Sequence, residues 1–387
     1  MTSIAVDTSA LESRFGERAL KLFERARTER LPIAGGIELT HRCNLACLHC
    51  YVNLPANDRQ AQRAEMTTDE VKRVLDELAA AGTLYLTFSG GEPLLRKDFA
   101  EIWRHAHALG LVLSLYTNAT LVTDATIELL LAHPPRVIEV TQYGYTEETY
   151  DRVVDAGEGQ YRRFVRGMQK LKAAGVHITL KAVAMRANHH EVLAIRDLAA
   201  REGFRFRFDT VISPRIDGGR KPLLQRLTPD EIVALETSDE PRQHDFAEYC
   251  HYVGTEPQTN DSKYHCGAGL ATYVIDPYGK LHVCELSRKP GWDVLANGFA
   301  RGWYDEVPKL RKLQRQHTDG CGSCRGVATC SNCVGMAELE GRSNDDGNLY
   351  MCEINDRRMA SVWGDARPTP NGLVRLRLQR EGAAAKL

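Results

Sequence analysis

The sequence has no excess of charge of either sign, no long apolar run, and no cysteine between residues 51 and 249. Its 387 residues include 50 lysines and arginines and 51 aspartates and glutamates, so the formal net charge is -1. This balance gives no electrostatic reason to expect a nucleic-acid or anionic-membrane partner. No run is long enough to span a bilayer, and residues 1–30 lack the apolar core of a secretory signal. These absences predict a cytoplasmic protein.

The eleven cysteines lie in short-spaced groups on either side of the cysteine-free stretch. In a reducing compartment, such crowding fits metal ligation better than a disulfide framework. One group is Cys43, Cys47 and Cys50. The remaining cysteines, all beyond residue 249, are Cys250, Cys266, Cys284, Cys321, Cys324, Cys330, Cys333 and Cys352. The gap between the groups predicts two separate metal-bearing regions.

A unit of a β-rich run, a loop and an amphipathic helical stretch repeats between about Gly35 and Val211. The alternation predicts an α/β fold with a parallel sheet, and six units predict a partial (β/α)6 TIM-like barrel with its reactive loops after the strands. The predicted strands are Ile37–Thr40, Leu84–Phe88, Leu111–Tyr116, Val137–Thr141, Ile178–Val183 and Phe204–Asp209. The predicted divisions are an N-terminal segment (1–34), the barrel (35–235), a cysteine-rich domain (236–355) and a C-terminal tail (356–387).

The run CNLACLHC at residues 43–50 places three thiols in one loop directly after the first predicted strand. Three cysteine ligands on a four-iron cluster leave one iron open, and this iron can chelate the amino and carboxylate groups of S-adenosylmethionine (SAM). One electron passed through the cluster would break a carbon–sulfur bond and give a 5′-deoxyadenosyl radical. The alternative is a structural zinc site, but zinc normally takes four ligands, and only His41 or His49 lies near in the sequence.

This cysteine spacing and the run SGGEP at residues 89–93 resemble the two signature motifs of radical SAM enzymes. The resemblance implies that the backbone of the second motif holds the amino group of SAM, and glycines allow such close approach. It also implies that His49 lies near the adenine ring and that Asn118 faces the SAM site. The candidate SAM-binding residues are His49, Ser89, Gly90, Gly91, Glu92, Pro93, Asn118 and Gln142.

The C-terminal cysteines and Gly279 resemble the SPASM domain of peptide-modifying radical SAM enzymes, whose members bind two auxiliary [4Fe-4S] clusters. One implied ligand set is Cys321, Cys324, Cys330 and Cys352. The other is Cys266, Cys284 and Cys333, with Cys250 as the candidate fourth ligand. Without Cys250, an open iron remains that can bind a substrate thiol or carboxylate. The alternative is a zinc knuckle built from Cys321, Cys324, Cys330 and Cys333, which leaves Cys266, Cys284 and Cys352, in addition to Cys250, unexplained.

Glu285 directly follows Cys284. In sulfatase-maturating relatives an aspartate at this position takes a proton from the substrate, so the resemblance makes Glu285 the candidate catalytic residue; alternatively, it caps a loop. Lys181 and Asp209, on the fifth and sixth predicted strands, either point into the barrel or pair with each other and with Arg207. Arg152 is interpreted as a solvated helix charge.

The resemblance implies a radical SAM enzyme that abstracts hydrogen from a ribosomally made peptide and crosslinks, oxidises or otherwise modifies it. The segment before the barrel has about 35 residues, too few for a leader-binding domain of typical small-domain size. A separate leader-peptide-binding protein is therefore one expected partner, unless the barrel and tail recognise the peptide themselves. The expected electron donor is a flavodoxin or ferredoxin. Two alternatives stay open: modification of a tetrapyrrole or other small substrate, and a non-catalytic iron–sulfur or zinc-binding scaffold.

Overall fold

The computed structural model describes residues 21–52, 54–254, 261–264, 266–316, 321–330, 334–343, 345 and 348–367. Its strands are β1 (Ala34–Thr40), β2 (Arg42–Cys43), β3 (Leu54–Pro55), β4 (Tyr85–Gly90), β5 (Val112–Thr117), β6 (Val137–Thr141), β7 (Ile178–Val183), β8 (Arg205–Asp209), β9 (Thr272–Ile275), β10 (Lys280–His282) and β11 (Trp292–Asp293). Its helices are α1 (residues 21–29), α2 (Arg59–Ala64), α3 (Thr68–Ala80), α4 (Phe99–Ala108), α5 (Asp124–Ala132), α6 (Glu147–Val154), α7 (Gln160–Ala173), α8 (Val192–Glu202), α9 (Pro229–Thr237), α10 (Glu240–Val253), α11 (Val294–Asn297), α12 (Phe299–Arg301), α13 (Val307–Arg311), α14 (Val334–Leu339) and α15 (Leu349–Trp363).

One nine-stranded sheet organises the chain, in the order β11-β10-β9-β1-β4-β5-β6-β7-β8. β1 and β4 to β8 are parallel to one another, which confirms the α/β fold predicted from the repeating units. These strands contribute a largely apolar buried core, with Leu113, Leu115 and Ile138 almost inaccessible to solvent, as expected for a parallel sheet covered by helices. Five of the six predicted strands lie within two residues of their observed bounds, and the first, β1, begins three residues earlier than predicted, at Ala34. The carboxyl ends of these strands meet at one edge of the sheet.

The cysteine-rich region extends the same sheet, which the sequence patterns did not predict. β9 pairs in parallel with β1, from Ala34 opposite Thr272 to Ile37 opposite Ile275, and β10 and β11 follow in antiparallel order. A Cβ at position 35 would lie 2.2 Å from the ring of Tyr273, so this glycine allows the ring to pack on β1. The division between the barrel and the cysteine-rich domain near residue 235 stays a prediction.

Capping residues define several helix starts as the sequence predicts. Thr67 and Glu70 form a reciprocal capping box at the start of α3, which satisfies two backbone donors. The same arrangement of Thr228 and Glu231 begins α9. No described helix combines the length and apolar character needed to cross a bilayer. The predicted linker and strand-like alternation beyond Pro368 lie outside the described residues.

Candidate active site

The three-cysteine loop follows β1 and is fixed against helix α6. Ala46 and Leu48 donate backbone hydrogen bonds to the carbonyl oxygens of Val154 and Val153, at 2.8 and 3.1 Å. The backbone N–H of Cys50 donates to the carbonyl of Cys47 at 3.0 Å, which folds the loop back on itself. These bonds hold all three thiols at the carboxyl edge of the sheet.

The environment of the thiols favours a metal group. Burial, followed by the charges of Cys50 and Cys43, raises the pKa of Cys47 well above its ordinary value. Burial and the charge of Glu92 raise the pKa of Cys43 to about 12. Thiols whose pKa is raised by burial become thiolates only beside a compensating cation, so Cys43 and Cys47 could act as thiolate ligands once a metal group binds.

The spacing of the sulfurs bears on which metal group fits. Among the described residues, His244, Asp245 and Glu248 are the only three side chains of metal-ligand type whose ligand atoms all lie within 4.8 Å of one another. At least one sulfur–sulfur distance among Cys43, Cys47 and Cys50 therefore exceeds 4.8 Å, and the same holds for Cys321, Cys324 and Cys330. Tetrahedral zinc, with zinc–sulfur bonds of about 2.3 Å, holds its sulfurs about 3.8 Å apart. Neither trio therefore has the geometry of a single tetrahedral zinc site in this structure.

Ser89 and Gly90 end β4, and Gly91 follows directly. All three residues line the cavity beside the cysteine loop. Gly91 donates a backbone hydrogen bond to the carbonyl of Thr40 at 2.6 Å. A Cβ at position 91 would lie 2.2 Å from the carbonyl oxygen of Arg42, and one at position 90 equally close to that of Thr40. The structure therefore gives these glycines a different reason from the expected approach to a ligand: they let two backbone segments touch. This contact sets the position of the Ser89–Gly91 loop relative to the cysteines.

Glu92 and Pro93, also predicted to bind SAM, support the cavity without lining it. The buried carboxylate of Glu92 accepts hydrogen bonds from Thr117 Oγ1 and the backbone N–H of Asn118, both at 2.8 Å. Burial raises its pKa to about 7 despite these bonds. Pro93 is buried at the start of a short 3-10 turn. The pair ties the end of β4 to the end of β5.

Asn118 and His49 both line the cavity, and their predicted contacts with SAM stay a prediction. The Asn118 Nδ2 donates to Asn44 Oδ1 at 3.1 Å and lies 3.7 Å from the sulfur of Cys43. Burial, followed by the charge of Lys181, lowers the pKa of His49 to about 3, so its imidazole is neutral. The His49 Nδ1 is buried and has no hydrogen-bond partner in the described structure. An orphaned ring nitrogen facing the site fits a ligand with complementary polar edges, such as the adenine of SAM.

Gln142 and Arg152 lie outside the cavity lining. The Gln142 side chain is buried and donates to the carbonyl of Gly144 at 3.1 Å. Arg152 lies on α6 and donates to the carbonyl of Ala187 at 2.9 Å and to Thr149 Oγ1 at 3.3 Å. Neither side chain is positioned at the SAM site in this structure, so a role for Gln142 stays a prediction.

The cavity has a volume of about 450 Å³, within the range of ligand-binding clefts. The wall beside the cysteine loop includes the aromatic rings of Tyr51, Tyr116 and Tyr143, none of which was singled out from the sequence. The ring of Tyr143 lies 4.9 Å from that of His49, and Tyr143 partly offsets the increase in the pKa of Cys47. These tyrosines give the cavity both apolar area and hydroxyl groups.

A chain of charged side chains on β6, β7 and β8 forms the other wall. Arg207 donates to both carboxylate oxygens of Glu139, at 2.7 and 2.8 Å, and also lies 3.4 Å from Asp209. Lys181 Nζ lies 2.9 Å from Asp209. These three side chains, Lys181, Asp209 and Arg207, therefore line the cavity. They also pair with one another. Glu139 was missed, although a single charge within the apolar run Val137–Thr141 could have signalled a functional position.

Glu285 lines the cavity from the cysteine-rich region, so a residue of that region contributes to the barrel site. Its side chain is accessible within the cavity but surrounded by protein. This burial, followed by the charge of Glu38, raises its pKa. The carbonyl oxygen of Glu285 accepts a hydrogen bond from Arg288 Nε at 2.5 Å, and loop capping by its carboxylate stays an open alternative.

Two groups of C-terminal cysteines are brought together. Cys352, on α15, lies near enough to Cys330, Cys321 and Cys324 for their charges to add to burial in raising its pKa. Cys284 likewise lies near Cys266, whose charge, after burial, raises the pKa of Cys284. Both groups lie within the two ligand sets implied by the SPASM resemblance, and the assignment of these cysteines to clusters stays a prediction.

Two cysteines of the predicted ligand sets, Cys250 and Cys333, are not grouped with other cysteines by the described residues. Cys250 is buried on α10, and burial is the one cause of the increase of its pKa to about 11. No effect of another cysteine on it is resolved among the described residues. Cys333 lies outside those residues. The assignment of both cysteines as cluster ligands stays a prediction.

Comparison with known sequences gives relatives with named activities. The chain is 28% identical over 333 residues to mycofactocin maturase MftC of Mycobacterium tuberculosis, covering 81% of this chain and 80% of that protein. It is 37% identical over 182 residues to PqqA peptide cyclase of Rhodopseudomonas palustris, 45% of each chain. It is 35% identical over 166 residues to the AdoMet-dependent heme synthase of Methanosarcina barkeri, covering 43% of this chain and 46% of that protein.

Comparison with solved structures gives the same fold. Streptococcus suis SuiB bound to S-adenosylmethionine superposes with a TM-score of 0.65 at 16% identity, over 90% of this chain and 84% of SuiB. SuiB has also been solved with its precursor peptide SuiA, with a TM-score of 0.64.

A sequence-family model independently matches the part of the chain that holds the cysteine loop, the Ser89–Gly91 loop and most of the parallel strands. The model is described as the radical SAM superfamily, and it matches residues 37–199. Residues 37–199, which include the three-cysteine loop and the Ser89–Gly91 loop, are therefore similar to a radical SAM domain.

Proposed function

We propose that this protein is a radical SAM enzyme that abstracts a hydrogen atom from a ribosomally made peptide, and so crosslinks, oxidises or otherwise modifies it. One observation carries the proposal: the cysteine loop, the Ser89–Gly91 loop and Glu285 line a single cavity. The named activities of MftC and PqqA peptide cyclase, and the SuiB complex with a precursor peptide, support a peptide substrate.

The side chains have distinct roles in this proposal. A four-iron cluster with SAM bound supplies a 5′-deoxyadenosyl radical that abstracts the substrate hydrogen. Cys43, Cys47 and Cys50 hold the cluster, and the Ser89–Gly91 backbone holds the amino group of SAM. The neutral His49 offers its unpartnered Nδ1 to the adenine ring.

The C-terminal cysteines hold two auxiliary [4Fe-4S] clusters in this proposal. Cys321, Cys324, Cys330 and Cys352 ligate one, and Cys266, Cys284 and Cys333 ligate the other. Cys250 is the candidate fourth ligand of the second cluster, and without it the open iron is available to a substrate thiol or carboxylate. Bound at these residues, an auxiliary cluster would supply a one-electron acceptor for the substrate radical.

The charged wall favours a peptide over an anionic tetrapyrrole. Each cation that lines the cavity, Lys181 and Arg207, is already paired with a carboxylate, and Glu285 adds a further acidic group. A peptide presents both donors and acceptors to such a surface, whereas the carboxylates of a haem-like substrate would need unpaired cations. The match to a heme synthase is the observation that keeps a tetrapyrrole as the second candidate substrate.

The proposal includes partners that act outside the cavity. Reduction of the clusters needs an electron donor of the flavodoxin or ferredoxin type. A separate leader-peptide-binding protein delivers the substrate, unless the barrel itself recognises the peptide. Both partners are expected in the cytoplasm, where thiols stay reduced.

Iron and sulfide content, together with 5′-deoxyadenosine release from SAM under dithionite, tests the enzyme class. The wild type should contain about twelve irons per chain, since each cubane holds four. The triple variant Cys43→Ala/Cys47→Ala/Cys50→Ala should lose about four of these irons and release no 5′-deoxyadenosine. Bound zinc with little iron, or iron without 5′-deoxyadenosine, would support the non-catalytic scaffold instead.

The substrate class needs its own experiment. Short peptides encoded beside the gene and a haem-type tetrapyrrole are incubated separately with the reduced enzyme and SAM, and mass spectrometry detects modified product. A mass change in the peptide that depends on Cys43, Cys47 and Cys50 supports the proposal. If the mass change appears only in the tetrapyrrole, the proposed substrate becomes a tetrapyrrole and not a peptide.

A further inference from the structure

A buried carboxylate that does not line the cavity connects two parts of the site. Glu38, on β1, is fully buried. It accepts hydrogen bonds from both terminal nitrogens of Arg288, each at 2.7 Å, and it lies 3.0 Å from the Nε2 of His41. The hydroxyl of Tyr51 donates to the same carboxylate at 3.4 Å. One acidic group therefore has three partners from different segments.

Those partners belong to the two regions that carry the proposed clusters. His41 and Tyr51 lie on either side of the three-cysteine loop, whereas Arg288 lies four residues after Cys284. Arg288 also donates its Nε hydrogen to the carbonyl of Glu285 at 2.5 Å. The Glu38–Arg288 pair thus fixes the segment 284–288 against the first strand of the barrel.

The segment 284–288 in turn surrounds the sulfur of Cys284. The backbone N–H groups of Leu286 and Ser287 both point at this sulfur, at 3.3 Å. Hydrogen bonds to ligand sulfurs stabilise the added charge of a reduced cluster and so influence its potential. The same segment places Glu285 in the cavity.

We propose that Glu38 and Arg288 are a positioning pair that holds the segment 284–288, and thereby the hydrogen bonds on the Cys284 sulfur and the location of Glu285, relative to the three-cysteine loop. The inference goes beyond the proposed function and rests on its assignment of Cys284 as a cluster ligand. A bidentate arginine–carboxylate pair suits this role because its planar geometry fixes orientation as well as distance.

The test compares Arg288→Gln and Arg288→Lys with the wild type, each purified anaerobically with its clusters. We expect Arg288→Gln to shift the midpoint potential of one auxiliary cluster to a more negative value in an EPR-monitored titration. Amide hydrogen exchange at residues 286 and 287 should become at least about tenfold faster. Arg288→Lys keeps the positive charge but cannot donate two parallel hydrogen bonds to Glu38. Its midpoint potential and exchange rates should therefore be intermediate. SAM cleavage should stay near the wild-type rate, since Glu38 keeps His41 and Tyr51.

Arg358→Gln is the matched control. Arg358 pairs with Glu236 at 2.7 Å, and the exposed side-chain fractions of this pair, 12% and 8%, resemble the 11% and 0% of Arg288 and Glu38. Glu236 keeps Arg242 as a partner, as Glu38 keeps His41. This control should lose stability without changing the cluster potential or the exchange at residues 286 and 287.

The outcomes separate positioning from general destabilisation. Wild-type potential and exchange in Arg288→Gln, or equal changes in Arg358→Gln, would overturn the proposal. Loss of auxiliary iron from Arg288→Gln alone would support it, whereas equal loss from both variants would count against it. If the wild type lacks auxiliary iron, the cluster assignment fails, and the exchange measurement alone still decides whether the pair fixes the segment.

Discussion

Gly91→Ala is the substitution whose effect follows most directly from the geometry. Its Cβ would lie 2.2 Å from the carbonyl oxygen of Arg42, whereas ordinary contact begins at 3.4 Å. The Ser89–Gly91 loop must therefore move by about 1 Å, and a displacement of that size at a reacting centre costs about 100-fold in rate. The hydrogen bond from Gly91 to Thr40 and that from Glu92 to Arg42 would also weaken. With overpacking included, the free energy of unfolding should fall by about 3 kcal/mol.

The assay is 5′-deoxyadenosine release from SAM by reconstituted protein of known iron content. Gly36→Ala is the matched control, because the nearest atom to its Cβ is the carbonyl oxygen of Thr87 at 3.8 Å. We expect this variant to behave as the wild type. Full SAM cleavage by Gly91→Ala with its iron intact would refute the reasoning that backbone contact, rather than space for a ligand, requires the glycine. Equal losses in the two variants would refute it as well.

Two further substitutions test the acidic groups of the site. Glu285→Gln should leave SAM cleavage intact and lower the product formed per 5′-deoxyadenosine, because the variant keeps the shape but loses the carboxylate that faces the cavity; a normal product yield would remove Glu285 from the reaction. Burial raises the pKa of Glu92 from 4.5 to about 7, so folding favours its protonated form. Its contribution to the free energy of unfolding, up to about 3 kcal/mol, is fully present below pH 4.5 and lost as the pH rises through 7. Denaturant unfolding curves at pH 5 and pH 8 should therefore differ less for Glu92→Gln than for the wild type, and an unchanged difference would contradict the raised pKa.

Local sequence patterns predicted the parallel strands and missed the rest of the sheet for a physical reason. The strands β4 to β8 alternate with helices that carry their own caps and apolar faces, so each unit is recognisable within about thirty residues. β9, β10 and β11 have four, three and two residues, too few for a clear period. Their place beside β1 depends on pairing between distant parts of the chain, which no local pattern records.

The site shows the same difference between features contained in one short stretch and features that depend on distant parts of the chain. The cysteine loop and the Ser89–Gly91 loop were predicted because their chemistry is contained in short runs. Glu38 and Glu139 were missed because their roles depend on Arg288 and Arg207, which come from remote segments. The reason that Gly91 must be glycine was also beyond a sequence-based prediction, since the obstructing atom belongs to another loop.

The pairing of β1 with β9 has a consequence for synthesis of the chain. In this parallel pair, Ala34 of β1 lies opposite Thr272 of β9, which is 238 positions later in the chain. During translation, the edge of β1 that faces β9 cannot be covered until that distant segment leaves the ribosome. An uncovered edge of a buried strand is a template for pairing with other chains. Nascent or truncated forms that end before residue 272 should therefore self-associate, and production of this protein should depend on how quickly its last third is made.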